Sequence, residues 1–343
     1  MKQVKLRIGR IAASITLAAT ALLSAQAVQA QETYPDHPIR LVVPFPPGGQ
    51  TDTVSRQLGA KLGPLLGQQI VVDNRSGAAG SIGSGEVARA KPDGYTLLIA
   101  TTSTHALNPT AMPNVPYDAV KDFEPITVLG TGPIALSVHP VVPARSLQEL
   151  VADAKARPGY YSYGSSGIGS INHLAGELLK SRAGNLKILH VPYKGAGPAM
   201  QDLMGGQITI VFSTLSAALP LHRQGRVRTL AVLKEQRSVG APDIPTTAEA
   251  GVPGVIAYTY NIILAPDGAP KNVVDTLSGA IRKVMSDRAF TDTLVKLGVD
   301  PISDSGPDKA AAMIRTELDK WSPLIQALGL SSHAPTRSAS PRR

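Results

Sequence analysis

An α/β fold built as two units of similar size is what this sequence predicts, and three observations carry that prediction. From Pro38 onward, short β-branched or aliphatic runs alternate with amphipathic stretches, the order that builds a largely parallel sheet. The series runs through once and starts again near Thr131. The chain has 343 residues, room for two domains at about 100–200 residues each. Hydrophobic residues make up 43% and aromatic ones 4%, so both cores must be aliphatic and no stacking platform for bases or sugars is offered.

In the first series Ile39-Arg40-Leu41-Val42-Val43 reads as a strand, and 51–66 as a helix with Val54, Leu58, Leu62 and Leu65 at helical spacing. Residues 69–72 form the next strand. A helix over 81–90 is stopped by Lys91-Pro92-Asp93-Gly94, a turn signature, before a strand over 95–101. The second series opens with a strand over 133–138 and a helix over 146–156, where Ser146 caps and Glu149 stands at the capping-box position. Strands over 160–163, 187–191, 207–212 and 227–233 follow, with helices over 170–181 and 197–204 between them. After the Pro/Gly-rich 241–254, the run 258–265 reads as a strand crossing back. Helices over 270–286 and 308–328, separated by Leu297-Gly298-Val299-Asp300-Pro301, are expected to return to the first unit. The resulting division is 31–130 plus 262–330 for domain 1 and 131–261 for domain 2. Residues 331–343, rich in Ser, Pro and Arg, form an expected disordered tail.

Residues 1–30 have the order of a secretory signal peptide. Lys2, Lys5, Arg7 and Arg10 form a basic start, an apolar stretch runs from 11 to 23, and Val28-Gln29-Ala30 supplies a cleavage site after Ala30. A membrane anchor is the competing reading, but the apolar core falls short of the roughly 20 residues a span needs. No other apolar run is long enough, so a soluble periplasmic protein is expected. The formal charge of +9 falls to +5 without the four signal cations, and Arg337, Arg342 and Arg343 sit in the tail. The remainder is mildly basic, in keeping with anionic ligands. No cluster of Lys and Arg interleaved with aromatics occurs, which argues against nucleic acid. The absence of cysteine excludes disulfides, thiol catalysis and cysteine-held metals.

Two loops are suited to an anion. Val43-Pro44-Phe45-Pro46-Pro47-Gly48-Gly49-Gln50-Thr51-Asp52 lies between a strand and a helix. Its glycines let the backbone approach a ligand, its prolines stiffen it, and the helix start leaves N–H groups unpaired. Asp52 would cap that helix or accept from a ligand. In the second unit, Tyr163-Gly164-Ser165-Ser166-Gly167-Ile168-Gly169-Ser170 leads into a helix in the same way. Each loop alone could be a stiff turn; one per unit makes a two-jawed site. A third strand-end segment, Thr101 to Pro109, offers Ser103, His105 or Asn108, although a polar turn explains it equally well. His173 and His190 stand alone in apolar surroundings and read as packing residues.

Catalytic and cofactor signatures are missing. Gly164-Ser165-Ser166-Gly167-Ile168 lacks the last glycine of G-x-S-x-G. No phosphate-binding G-x-x-x-x-G-K-[ST], no helix-opening G-x-G-x-x-G and no metal-ligand spacing occurs. The acids are scattered. No cofactor, no metal and no catalysis are expected.

These loops belong to a longer pattern. It includes Tyr34-Pro35, Val43 through Gly49 with Thr51-Asp52, Val72-Asp73-Asn74-Arg75, Pro92-Asp93-Gly94-Tyr95-Thr96-Leu97-Leu98, Tyr117-Asp118 and Lys121-Asp122-Phe123. His173-Leu174-Ala175-Gly176-Glu177, His190-Val191-Pro192-Tyr193-Lys194-Gly195, Pro245-Thr246, Glu249-Ala250-Gly251 and Leu264-Ala265-Pro266 complete it. Over about 34–330 the chain resembles the substrate-binding receptors of tripartite tricarboxylate transporters, the Bug-type receptors. The resemblance implies a two-domain periplasmic-binding-protein fold, a type II-like Venus flytrap with hinge-linked domains. It implies a carboxylate held between the two loops through backbone groups, helix N-termini and waters. That nominates Phe45, Gly48, Gly49, Thr51 and Asp52, then Ser165, Ser166, Gly169 and Ser170, with Ser103 and His105 of the third segment. Ligands of the family range over di- and tricarboxylates, amino acids, nicotinate-type and aromatic acids. Two departures stand out. Ser213 replaces an aspartate that many relatives carry, which argues against an amino-acid ligand at that point. Ile262 stands near where relatives have a tryptophan and a glycine, and is expected to narrow the cleft. The implied role is a monomeric receptor delivering its cargo to an inner-membrane permease. A periplasmic sensor signalling to a membrane histidine kinase would use the same cleft. A secreted hydrolase would need a nucleophile with a partnering base.

Overall fold

The computed structural model describes residues 34–330, so the expected signal peptide and tail lie outside the described residues. The unit that begins at His37 carries every element that follows.

The chain opens with β1 (Ile39–Val43), α1 (Gln50–Leu66), β2 (Ile70–Asn74), a short 3-10 turn, α2 (Ser81–Ala88) and β3 (Thr96–Ala100). β1 is parallel to β2 on one side and β3 on the other, and four of its five residues are buried. α1 buries Val54, Leu58 and Leu62, and Gly59 lets the helix approach Ile70. Leu65, counted on the apolar stripe of this helix, is instead 52% exposed.

After β3 the chain winds into a π-helical turn (Ser103–Leu107) and α3 (Asn108–Ala111). β4 (Phe123–Val138) then runs for 16 residues, where the sequence announces only 133–138. Pro125, Gly130, Gly132 and Pro133 mask the strand, and the ladder shifts register at 125/127 and 128/130. α4 (Leu147–Ala156) is capped as expected: the Ser146 hydroxyl accepts from the Glu149 N–H. The Glu149 carboxylate reaches one residue further than a capping box would, to the Arg145 N–H at 2.7 Å.

β5 (Ser162–Ser165), α5 (Ile171–Arg182), β6 (Leu189–Pro192), α6 (Ala196–Met204), β7 (Ile210–Thr214), α7 (Leu215–Arg223) and β8 (Arg228–Val232) complete the second series. β9 (Tyr258–Pro266) crosses back. α8 (Lys271–Ser286), α9 (Arg288–Lys296), the two-residue β10 (Asp300–Pro301) and α10 (Pro307–Ala327) close the chain. α7 and α9 are additions to the expected elements. Pro220 inside α7 reads as a helix breaker in sequence, and both helices are only nine residues long.

The strands form one curled sheet in the order β2-β1-β3-β9-β4-β7-β5-β6, with β10 and β8 also paired to β4. It is mixed rather than largely parallel. β9 is antiparallel to β3 and β4, and β4 is antiparallel to β7 and β8. Residues 123–133 of β4 pair with β9, while 134–138 pair with β7 and β8. One strand therefore runs through both halves of the sheet.

Each half has an aliphatic core. Val42, Leu98, Val128, Ile262 and Leu264 anchor the first; Ile134, Leu136, Leu174, Ile210 and Leu230 anchor the second. α10 joins both instead of returning only to the first: Ala310 and Ile314 enter the first core, Trp321 and Ile325 the second. Among the described residues no helix is long and apolar enough to cross a membrane.

Candidate functional site

The segment from Pro44 to Gly49 turns from β1 into α1. Gly48 takes φ +85°, a conformation that costs an L-residue roughly 1–2 kcal/mol. Gly49 is the N-cap and provides no side-chain acceptor, so the first N–H groups of α1 have no partner within the helix. Asp52 fastens this loop. Its carboxylate accepts from the Gly48 N–H at 2.9 Å, from Asn74 Nδ2 at 3.0 Å and from Arg56 Nε at 3.1 Å. Asn74 Nδ2 also donates to the Phe45 carbonyl at 3.0 Å. Burial pushes the Asp52 carboxyl up, but these bonds outweigh it and hold the group below its ordinary value. The charge is spent inside the loop, and Asp52 positions Gly48 and Gly49 without lining the cavity.

The serine loop is supported from behind. Ser165 is fully buried; its hydroxyl lies 2.7 Å from His190 Nε2 and 3.2 Å from the Gly167 nitrogen. His190 stacks on His173 at 4.0 Å and on Tyr163 at 4.8 Å. Burial, reinforced by His173, pushes the His190 imidazole down to about 4, which keeps it neutral at pH 7. His173 Nδ1 accepts from the Gly169 N–H at 3.1 Å. Ser170 caps α5: its hydroxyl accepts from the His173 N–H at 3.2 Å and donates to the Gly167 carbonyl at 2.7 Å. With that hydroxyl committed, Ser170→Ala is expected to cost about 1 kcal/mol of stability in urea unfolding. Affinity for any bound acid should stay within about twofold.

The π-turn separates two nominated residues. Ser103 faces the cavities, whereas His105 is fully buried beside Phe123 at 4.6 Å and Tyr117 at 5.5 Å. His105 Nδ1 meets Thr104 Oγ1 at 2.9 Å, and burial pushes its ring down to about 3. His105 is thus a core residue, two positions from a cavity residue but across the turn. Ser213 is also fully buried on β7 and lines neither cavity. Ile262 packs in the first core, so it does not narrow the cleft.

Two adjoining cavities receive most of the remaining nominees. One, of about 330 Å³, is lined by Phe45, Ser103, Ser166, Gly169 and Ser170 together with residues of α3. The other, of about 620 Å³, is lined by Phe45, Gly49, Thr51 and Ser103. Phe45 and Ser103 belong to both, and both volumes are on the scale of small-molecule sites. The larger cavity also meets the start of α6, a helix the sequence announces over 197–204 but does not mark as part of the site. Gly195, at φ +122°, caps α6 without a side-chain acceptor, and Gly195 and Ala196 line the wall. The signal was the same strand–glycine–helix order in Pro192-Tyr193-Lys194-Gly195-Ala196; the lack of hydroxyls hid it. Gln50 lines the cavity too, and its Nε2 donates to the Leu297 carbonyl at 2.9 Å and to Ser216 Oγ at 3.3 Å. Among the described residues no charged side chain lines either cavity.

A separate cavity of about 540 Å³ between β4, β9, β10 and α10 is rich in charge. Its Lys234 pairs with Asp300, and Glu317 is taken by Lys320 and the Trp321 indole. Among the described residues no group of three or more His, Cys, Asp or Glu could hold a metal ion.

A mixed sheet in two halves, with ligand-sized neutral cavities meeting helix starts from both, defines an α/β solute-binding protein. The chain belongs to the tripartite tricarboxylate transporter family of receptors, whose model matches residues 54–330. It is 36% identical to protein BugT of Bordetella pertussis over 299 residues, 87% of this chain and 91% of that one. A R. palustris protein solved with adipate is 35% identical with a TM-score of 0.76, over 87% of this chain and 99% of its own. MatC from Rhodopseudomonas palustris with bound malate is 30% identical with a TM-score of 0.72, over 85% and 100%.

Proposed function

We propose that this chain is an exported receptor that captures a small organic carboxylate between the two halves of the sheet and delivers it to a membrane permease. The observation that carries the reading is the wall itself. α1 and α6 present uncapped N-termini to one cavity and the α5 start borders the other, with no charged side chain in either among the described residues. Backbone N–H groups at helix starts favour an anion without a cationic partner. The adipate and malate held by related proteins are of that class. Residues 31–130 with 262–330, and 131–261, act as two domains that turn about β4 and β9. Closure excludes water and strengthens the hydrogen bonds to the carboxylate. Signal cleavage after Ala30 leaves the receptor in the periplasm.

The receptor binds its cargo without chemistry. The serine–histidine side-chain contact of Ser165 with His190 lies behind the loop, where Ser165 is fully buried and lines neither cavity, which supports that reading.

The test is a thermal-shift screen of protein purified from periplasmic extracts against mono-, di- and tricarboxylates, amino acids and aromatic acids. A ligand at a hundred times its Kd adds about 2.7 kcal/mol of stability, a rise easily read. A response confined to acids supports the receptor; silence across every acid overturns it.

A further inference from the structure

We infer that the body of the bound acid, beyond its carboxylate, is apolar: an aliphatic or aromatic acid rather than a hydroxy- or tricarboxylic acid. This inference rests on the receptor reading and narrows its ligand. It comes from an inventory of the smaller cavity, whose apolar lining is Phe45, Ala79, Ala111, Met112, Ile168 and Leu330.

The polar groups of that cavity are mostly engaged. Asn108 Nδ2 donates to the Ala79 carbonyl at 3.0 Å and to Ser81 Oγ at 3.1 Å. The Ser170 hydroxyl both accepts and donates within its own cap. Ser166 Oγ accepts from Asn172 Nδ2 at 3.1 Å, which leaves its proton, and Ser103 keeps its hydroxyl. Within this cavity, two hydroxyls cannot match a polyhydroxylated or triply charged body. Each polar group buried without a partner costs about 1–3 kcal/mol on the protein mutational scale, and an unpaired charge costs far more. Among the described residues no Lys, Arg or His lines either cavity to offset a second or third carboxylate at close range.

A second observation points the same way. Ile168, at the tip of the serine loop, is 67% exposed while lining this cavity. Its side chain contributes little to the folded core, and an apolar wall at a ligand site finds its use when a ligand covers it. Ile168 is therefore the specificity-determining residue that the apolar body covers.

Isothermal titration of the full processed protein with hexanoate, phenylacetate, citrate and tartrate tests this. Hexanoate or phenylacetate should bind at least about tenfold tighter than citrate and tartrate. Ile168→Ser should weaken the tighter of the first two by about tenfold, the scale of burying one aliphatic side chain, with an unchanged melting temperature for the free protein. Tighter binding of citrate or tartrate, or an Ile168→Ser variant that holds the apolar acids as well as the parent, overturns the inference and leaves a carboxylate receptor standing. If none of the four acids binds, nor any acid in the wider screen, the receptor reading falls and the inference with it.

Discussion

Gly49→Leu is expected to weaken acid binding by about a hundredfold while leaving the fold and its melting temperature nearly unchanged. Gly49 has φ −76° and ψ 169°, a conformation open to any residue, and an added Cβ meets nothing nearer than the Pro46 carbonyl at 3.8 Å. The backbone therefore tolerates the substitution. A leucine there occupies the wall of the larger cavity beside the first N–H groups of α1, the space a carboxylate needs. Overfilling of this kind costs up to about 3 kcal/mol, near a hundredfold in affinity. Gly48 is the poorer test, because its φ of +85° makes any side chain strain the loop as well. Titration of Gly49→Leu with the acid found in the screen decides the matter: unchanged affinity would remove the α1 N-terminus from the site.

Trp321→Ala should be the most damaging single change to stability, about 3–5 kcal/mol in urea unfolding. Trp321 is fully buried in the second core. Its Nε1–H donates to Glu317 Oε2 at 2.7 Å, and Glu317 is 1% exposed with Lys320 as a further partner. Truncation opens a void and strips a donor from a buried carboxylate. Trp321→Phe isolates the second effect and should cost about 1–3 kcal/mol. A loss under about 1 kcal/mol for Trp321→Ala would mean that the end of α10 is not part of that core.

What the sequence disclosed follows from how local each signal is. The strand-to-helix order, the Ser146 cap and the two glycine-bearing loops are set by neighbours in the chain, and each was readable. The full extent of β4 was not, because its prolines and glycines look like breaks until β9 is laid beside it. α7 was hidden by Pro220, and the α6 terminus by the absence of hydroxyls. His105 shows the limit most sharply. Its residue type suits a ligand contact, but the π-turn that sends it into the core is a property of the packed chain. Asp52 and Ser165 were nominated for contact and serve as braces, a distinction that only the hydrogen bonds reveal.

The shared membership of α10 has a consequence for how the protein comes into being. A ribosome supplies the chain from its amino end, so the second core, begun by Ala106, lacks Trp321 and Ile325 until almost the last described residue is made. The first core likewise waits for Ala310 and Ile314. A nascent chain of 300 residues thus has every central strand but neither core sealed. Both cores are therefore expected to close only late in synthesis, and a polypeptide not yet closed is the form most easily threaded through a narrow channel.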